Sequence, residues 1–178
     1  MAPSSHPRRL NNTWKAPKIS TLNLNTDGAM GPSTMAAACR GAIQNSNGDW
    51  ITGFCRNIGH YSAFQAELWG VLDGLELACN LGINQIEVEL DNNEVVNQLG
   101  SQPSNHEHSI VRRIRNYLDR SWKVNMRYVP RDANKLTDSI AKLGRSQPLG
   151  RTVITQPPAE VQYLLNSDQI EARRRPTH

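Results

Sequence analysis

The spacing of apolar positions changes along the chain. From residue 19 to residue 27, apolar and polar side chains alternate, which predicts a strand over Ile19–Asp27. The next two strands are predicted at Met35–Gln44 and Trp50–Arg56, because a polar turn sequence with a glycine separates them. The first third of the chain therefore predicts an antiparallel meander of three strands. The polar face of its first strand would carry Asn23, Asn25 and Asp27.

Helical spacing follows this meander. Apolar residues at 64, 68, 71, 72, 75, 78 and 81 follow a helical period, with Ser62 as the N-cap and Gly82 as the helix stop. Two more strands are predicted at Ile86–Leu90 and Lys123–Val129. Three more helices are predicted: Asn92–Leu99, Ser109–Arg120 and Ala133–Leu143. This order predicts an α/β fold, in which helices flank a five-stranded mixed sheet.

Composition divides the chain into three parts. Residues 1–18 contain four basic residues, three prolines and no acidic residue, which predicts a flexible basic N-terminal lead. Residues 19–145 form the predicted domain. Residues 146–178 form a predicted C-terminal tail with a short apolar segment, Val161–Leu165, and a basic end, Arg173–Arg175.

The composition also excludes some classes of protein. The mean hydropathy is −0.57, and the sequence has neither an apolar stretch of membrane-spanning length nor the apolar core of a secretory signal. Three cysteines without metal-binding spacing favour a reducing intracellular compartment, with nucleus and cytoplasm both left open. We expect a monomer with no membrane partner.

The net charge of +4 is unevenly distributed. Residues 19–111 contain ten acidic and two basic residues, whereas residues 112–143 contain nine basic and three acidic residues. One interpretation is that these charges only decorate solvated faces, and the charge layout alone favours it. The other interpretation is a cation site beside a site for a polyanion.

Four carboxylates lie near the ends of predicted elements: Asp27, Glu67, Asp91 and Asp138. Singly, they have ordinary explanations, since Asp27 precedes a glycine and Asp91 suits a helix N-cap. If the first and fourth strands are central neighbours, however, Asp27 and Asp91 approach each other within reach of the other two. Close carboxylates repel unless a hard divalent cation neutralises them. The set therefore predicts a site for Mg²⁺ or Mn²⁺, and two such ions would suit phosphodiester cleavage.

These residues lie in segments that resemble the ribonuclease H superfamily, and within it the RNase H-like domains of plant non-LTR retrotransposons. The resemblance implies an RNase H-like fold. It also implies an Asp-Glu-Asp-Asp set that is both catalytic and metal-binding, carried here by Asp27, Glu67, Asp91 and Asp138. The matching segments span residues 14–144 and keep the family's order: Trp14–Pro17, Leu24–Ala29, Gly41–Ile43, Gln65–Gly70, Glu89–Asn92, Val129–Asn134 and Asp138–Leu143.

The resemblance implies an endoribonuclease that hydrolyses the RNA strand of RNA/DNA hybrids with two Mg²⁺ or Mn²⁺ ions. Such a domain would belong to, or derive from, a reverse-transcriptase polyprotein. One alternative is a nucleic-acid-binding or protein-interaction module with the same fold and little or no turnover. A metal-dependent 3′–5′ exonuclease or integrase-like protein is disfavoured, because the contexts of Asp27 and Asp138 resemble the RNase H branch.

Candidate nucleic-acid contacts accompany the acids. Bacterial-type members carry a histidine loop before the last helix, but no histidine occurs here between His108 and His178. Arg131 is the predicted substitute, because a guanidinium can hold phosphate. Ser62 and Asn93 are candidate contacts to the nucleic-acid backbone, with capping or a surface position as the alternative. A basic helix is predicted to point three arginines outward, towards the hybrid or simply towards solvent: Arg112, Arg113 and Arg115.

Overall fold

The structure is a computed structural model that describes residues 13–144 and 147–176. Its strands are β1 (Leu22–Met30), β2 (Ala36–Gln44), β3 (Trp50–His60), β4 (Gln85–Leu90), β5 (Lys123–Tyr128) and β6 (Gly150–Ile154). Its helices are α1 (Ala63–Asn80), α2 (Asn93–Gly100), α3 (Ser109–Leu118), α4 (Lys135–Gly144) and α5 (Gln162–Arg173). No helix within the described ranges is long and apolar enough to cross a bilayer.

The strands form one mixed sheet in the order β5-β4-β1-β2-β3-β6. β2 pairs antiparallel with both β1 and β3, whereas β4 pairs parallel with both β1 and β5. β1 and β4 are therefore neighbours near the centre of the sheet. This is the arrangement that the sequence required for Asp27 and Asp91 to approach each other.

The prediction of five strands is wrong, because β6 adds a sixth strand. It pairs antiparallel with β3, which runs on to His60 and so offers a long edge. The sequence indicated β6 only weakly, since it has five residues and begins at Gly150, whose φ is +111°. The segment predicted as a C-terminal tail therefore contributes β6 and α5 to the fold.

The apolar face of the sheet packs against α1, α2 and α3. Leu24 on β1 faces α1, where a Cβ on Gly74 would lie 2.5 Å from Leu24 Cδ2, so a larger residue at position 74 would displace the Leu24 side chain. The fully buried side chains of this core include Leu24, Ile43, Phe54, Leu68, Leu72, Leu75, Ile86, Leu90 and Ile114.

The opposite face of the sheet is polar along β1. The register places Asn25 beside Ala42 on β2 and Glu89 on β4, and Asn25 and Glu89 are both buried. A second apolar cluster lies further along this face, where α4 and α5 pack on β2 and β3. The predicted alternation of β1 is confirmed, because Leu24 faces α1 whereas Asn25 belongs to the polar face.

The N-terminal end of the described chain is anchored by Trp14. Its ring is 8% exposed, and its indole N–H donates to Asn23 Oδ1 at 3.4 Å. Residues 1–12 of the predicted basic lead lie outside the described residues, as do residues 145, 146, 177 and 178.

Candidate metal centre and nucleic-acid surface

A close approach between β1 and α1 brings the first two acids together. A Cβ on Gly28 would lie 2.3 Å from the backbone nitrogen of Glu67, so the glycine after Asp27 is required for space. The Gly28 backbone N–H also donates a hydrogen bond to the Glu67 carboxylate. The dipeptide Asp27-Gly28 therefore forms part of the site rather than a turn, since β1 continues to Met30.

The third acid follows the adjacent parallel strand. Thr26 and Leu90 are paired in register, so Asp27, which lies within β1, is beside Asp91, which directly follows β4. Carboxylate oxygens of Asp27, Glu67 and Asp91 lie within 4.8 Å of one another. Asp27 and Glu67 are buried, and Asp91 is partly exposed. The structure therefore brings together three of the four predicted acids.

Burial and mutual repulsion disfavour the charged forms of these acids. Burial, followed by the charges of Asp27 and Asp91, raises the pKa of Glu67 to about 8. Burial likewise raises the pKa of Asp27, against the opposing effect of the Arg40 guanidinium. For Asp91, burial raises the pKa and the Arg131 charge opposes it.

The donor set fits a hard divalent cation. All three groups offer oxygen, which Mg²⁺ and Mn²⁺ prefer. Glu67 Oε2 is buried and has no hydrogen-bond partner among the described residues. A buried acceptor of this kind costs free energy unless another group satisfies it, and a cation bound between the carboxylates would do so.

Asp138 lies at the margin of the cluster. Asn134 Nδ2 donates to the Thr26 carbonyl oxygen at 2.9 Å, which ties the start of α4 to β1 just before Asp27. The Asp138 side chain is 46% exposed, and its Oδ1 lies 3.7 Å from Arg40 Nη2. Its position one turn into α4 is consistent with the predicted set, but it is not within the three-carboxylate group.

Sequence reasoning missed Arg40, a buried basic residue that contacts this group. Arg40 lies opposite Asp27 in the β1–β2 register, is 8% exposed, and donates from Nη2 to Asp27 Oδ2. A signal was available, because Arg40 is one of only two basic residues between positions 19 and 111. Using it required the register of the first two strands.

The candidate backbone contacts lie at helix starts. Ser62 caps α1, where its side chain accepts from Gln65 N and the Gln65 side chain accepts from Ser62 N. The ordinary capping role therefore holds for Ser62. Asn93 is exposed as the first residue of α2, while the N-cap is Asn92.

The three arginines of α3 do not share one environment. Arg112 and Arg113 are exposed, and the Arg113 guanidinium lies 5.6 Å from the centre of the Trp69 ring. Arg115 instead donates to Glu107 Oε1 at 2.8 Å and to the carbonyl oxygens of Gln98 and Leu99. The prediction that Arg115 points outward is therefore wrong, because the loop before α3 folds back over it.

Arg131 lies beside the acids in the 3-10 turn before α4. Its side chain is 71% exposed, and its Nε lies 3.9 Å from Asp91 Oδ2. A guanidinium that is exposed beside the carboxylate group can hold a phosphate of a nucleic acid bound there. Its role as a phosphate contact stays a prediction.

The chain is similar in sequence to known proteins. Residues 25–144 match the family model described as reverse transcriptase-like. The chain is also 34% identical over 163 residues to a provisionally named ribonuclease H protein of Arabidopsis thaliana. That alignment covers 90% of this chain but 26% of the relative, so the chain spans about a quarter of the relative's length.

Solved structures share the fold over about two thirds of the chain. RNase H1 of Halobacterium salinarum is 26% identical with a TM-score of 0.58, over 66% of this chain and 92% of that one. An RNase H1 named LC11, crystallised with an RNA/DNA hybrid, is 19% identical with a TM-score of 0.57, over 66% of this chain and 91% of that one. β6 and α5 lie beyond the residues that match the family model.

Proposed function

Because the chain belongs to the reverse transcriptase-like family of the ribonuclease H superfamily, we propose that it is a divalent-metal-dependent endoribonuclease that hydrolyses the RNA strand of RNA/DNA hybrids. The similarity to enzymes named ribonuclease H supports an RNase H-type activity in general. The solved relative crystallised with an RNA/DNA hybrid supports the choice of substrate.

One observation carries the proposal most directly. Asp27, Glu67 and Asp91 come from three different elements, yet their oxygens converge within 4.8 Å. Carboxylates this close raise one another's pKa, which is unfavourable for folding without a cation. Such an arrangement is typical of a functional site, and the unpartnered Glu67 Oε2 marks where a cation would gain an additional ligand.

The residues divide the work as follows. Asp27, Glu67 and Asp91 would hold the metal, and Asp138 would join them from α4. Two Mg²⁺ or Mn²⁺ ions held by these acids would supply the Lewis acidity that activates a water molecule and stabilises the leaving oxygen of a phosphodiester. Arg131 is exposed beside Asp91, and we assign it to hold a phosphate of the cleaved strand.

The hybrid would lie across the starts of α1 and α3. Gln65 Nε2 and His108 Nε2 are 3.2 Å apart, so these two helix starts form one continuous surface with Ser62 at its edge. Arg112 and Arg113 provide exposed positive charge on α3. Asn93 is exposed at the start of α2. Selection of RNA over DNA would come from contacts to 2′-hydroxyl groups in the minor groove.

The test is cleavage of end-labelled RNA in three forms: single-stranded, in an RNA duplex and in an RNA/DNA hybrid. A fourth reaction contains the hybrid and EDTA. We expect only the hybrid to be cleaved, and only when Mg²⁺ or Mn²⁺ is present. Glu67→Gln keeps the size of the side chain and removes its charge, so it should abolish cleavage.

Asp132→Asn is the matched control, because Asp132 is an exposed acid in the same neighbourhood and outside the carboxylate group. It should cleave as the unmodified protein does. Cleavage by Glu67→Gln at the unmodified rate would contradict the proposal. It would also trace the activity to a contaminant, since both proteins are purified identically.

Two features of the site support a second function. Arg40 contacts Asp27 directly, and Asp138 stands apart from the three clustered acids. Both features favour a module that binds hybrid with little or no turnover. Hybrid binding without cleavage in either metal would identify that function.

The relationship to a larger protein is also a proposal. The Arabidopsis relative is much longer than this chain, and the family is described as reverse transcriptase-like. These two facts support descent of the domain from a reverse-transcriptase polyprotein. We propose that it acts as a monomer, which size-exclusion chromatography with light scattering would test.

A further inference from the structure

Arg40 is the feature of the site that the acid set does not explain. It lies on β2 with its Cα paired to that of Asp27, and its side chain is 10% exposed. Nη2 donates to Asp27 Oδ2 and lies 3.7 Å from Asp138 Oδ1. A positive charge is therefore already positioned against an oxygen that a divalent cation would use.

The contact is unlike the arginine–aspartate pair that joins Arg56 on β3 to Asp73 on α1. Arg56 binds Asp73 through both Nε and Nη2, at 2.5 and 2.9 Å, and so uses both oxygens of the carboxylate. Arg40 contacts Asp27 through Nη2 only, and its buried Nε has no partner among the described residues. The hydrogen-bond donors of the Arg40 guanidinium are thus only partly satisfied, so Arg40 can change partner at lower cost in free energy than Arg56.

We propose that Arg40 is a built-in counterion that competes with divalent cations for Asp27 and thereby sets the metal affinity of the carboxylate group. In the metal-free protein, its charge offsets the repulsion between the acids. When a cation binds, the guanidinium is displaced from Asp27 Oδ2, and Asp138 Oδ1, at 3.7 Å, is its nearest alternative partner, which leaves Asp138 Oδ2 for the metal. This inference rests on the proposed function only in taking the carboxylate group as a metal site.

The physical basis is simple electrostatics. A guanidinium fixed beside a carboxylate repels an incoming dication, and it also occupies one of the lone pairs that the dication needs. Removing the charge should therefore tighten metal binding while it weakens the metal-free fold. A purely structural role for Arg40 predicts the loss of stability without the gain in affinity.

The test is a calorimetric titration with Mg²⁺ and Mn²⁺ at pH 8, without nucleic acid. We expect Arg40→Gln to bind either ion at least about tenfold more tightly than the unmodified protein, for the loss of one unit charge at this range. Arg40→Lys keeps the charge and should stay near the unmodified affinity. Arg151→Gln is the control, because Arg151 on β6 pairs with Asp73 and Glu76 on α1, outside the carboxylate group, and Arg56 still holds Asp73.

Arg40→Gln leaves Asp27 buried without its partner, so a second measurement uses the unmodified protein. In a ¹⁵N-labelled sample, saturating Mg²⁺ should shift the side-chain Nε–H resonance of Arg40 and leave that of Arg56 unchanged. Equal or weaker metal binding by folded Arg40→Gln, equal affinities for Arg40→Gln and Arg40→Lys, or an unshifted Arg40 resonance would each overturn the inference.

These readouts are independent of turnover. If hybrid cleavage fails in the unmodified protein but Arg40→Gln tightens metal binding, the inference stands and the proposed activity fails. If cleavage occurs and the affinities are unchanged, the proposed function stands and the role of Arg40 is overturned.

Discussion

Replacing Asp91 by asparagine should stabilise the metal-free protein while it removes the metal response. Asp91 is the most exposed of the three clustered acids, and asparagine has nearly the same size as aspartate. The substitution therefore changes the charge and little else. The change removes one charge from a group whose oxygens lie within 4.8 Å of one another. Its consequences for stability follow from the charges that remain.

The magnitude can be worked from these distances. Two unit charges at 4.8 Å repel by about 3 kcal/mol at an effective dielectric constant of 20. Glu67, with its pKa raised to about 8, is mostly neutral at pH 7, so the Asp27–Asp91 pair dominates. Arg40 offsets part of the Asp27 charge. The Asp91–Arg131 ion pair, which the substitution removes, is 3.9 Å long with an exposed arginine, so it stabilises by about 0–1 kcal/mol. We therefore expect a net gain of about 1–2 kcal/mol.

The assay is thermal unfolding at pH 7, first in EDTA and then with saturating Mg²⁺. A gain of this size in EDTA should raise Tm by about 2–8 °C in a protein of this length. Added Mg²⁺ should raise the Tm of the unmodified protein clearly more than that of Asp91→Asn. Asp119→Asn, which removes an exposed acid after α3, serves as the control and should retain the full Mg²⁺ response. A lower Tm for Asp91→Asn in EDTA, or equal Mg²⁺ responses, would refute the reasoning.

Three further predictions separate the surface from the core. Arg112→Ala with Arg113→Ala should weaken hybrid binding and flatten its dependence on salt by about one unit for each phosphate that is no longer bound, with Tm unchanged; an unchanged salt slope would show a merely solvated face. Arg115→Ala should instead lower the free energy of unfolding by about 2–4 kcal/mol, because it leaves the buried Glu107 carboxylate unpaired, and urea denaturation checks this. Burial raises the pKa of Asp168 from 3.8 to about 6, so its charge costs stability as pH rises from about 4 to about 6. Asp168→Asn should gain up to about 3 kcal/mol at pH 7 and nothing below pH 4, and an equal difference at both pH values would contradict the assignment.

The predictable part of the fold depended on periodicity. The helical spacing from Phe64 onward and the alternation along β1 each identified the correct element and the correct face. The position of Asp27 on the polar face, with Asp91 at the end of the neighbouring strand, followed from that alternation and from the order of the elements. Three of the four acids could therefore be brought together from the sequence.

The remaining features depended on contacts between different strands, helices and loops. Arg40 joins the site only through the β1–β2 register, and Arg115 is covered because Glu107 reaches back from a loop whose path no local pattern reveals. β6 forms because the long β3 offers an edge, and its own five residues carry little β-strand pattern. Local periodicity does not encode such pairings, since each depends on how one element is placed against another.

The central claim is that the carboxylates bind divalent cations that activate water against the RNA strand, and the chemistry of the product ends tests it most directly. Attack by water predicts 3′-hydroxyl and 5′-phosphate ends on the cut RNA of a hybrid, formed with Mg²⁺ and absent with EDTA. End-group analysis by mass spectrometry distinguishes these ends from 2′,3′-cyclic phosphates, which attack by the neighbouring 2′-hydroxyl would leave. Cyclic phosphate ends, or ends that form equally in EDTA, would contradict the account.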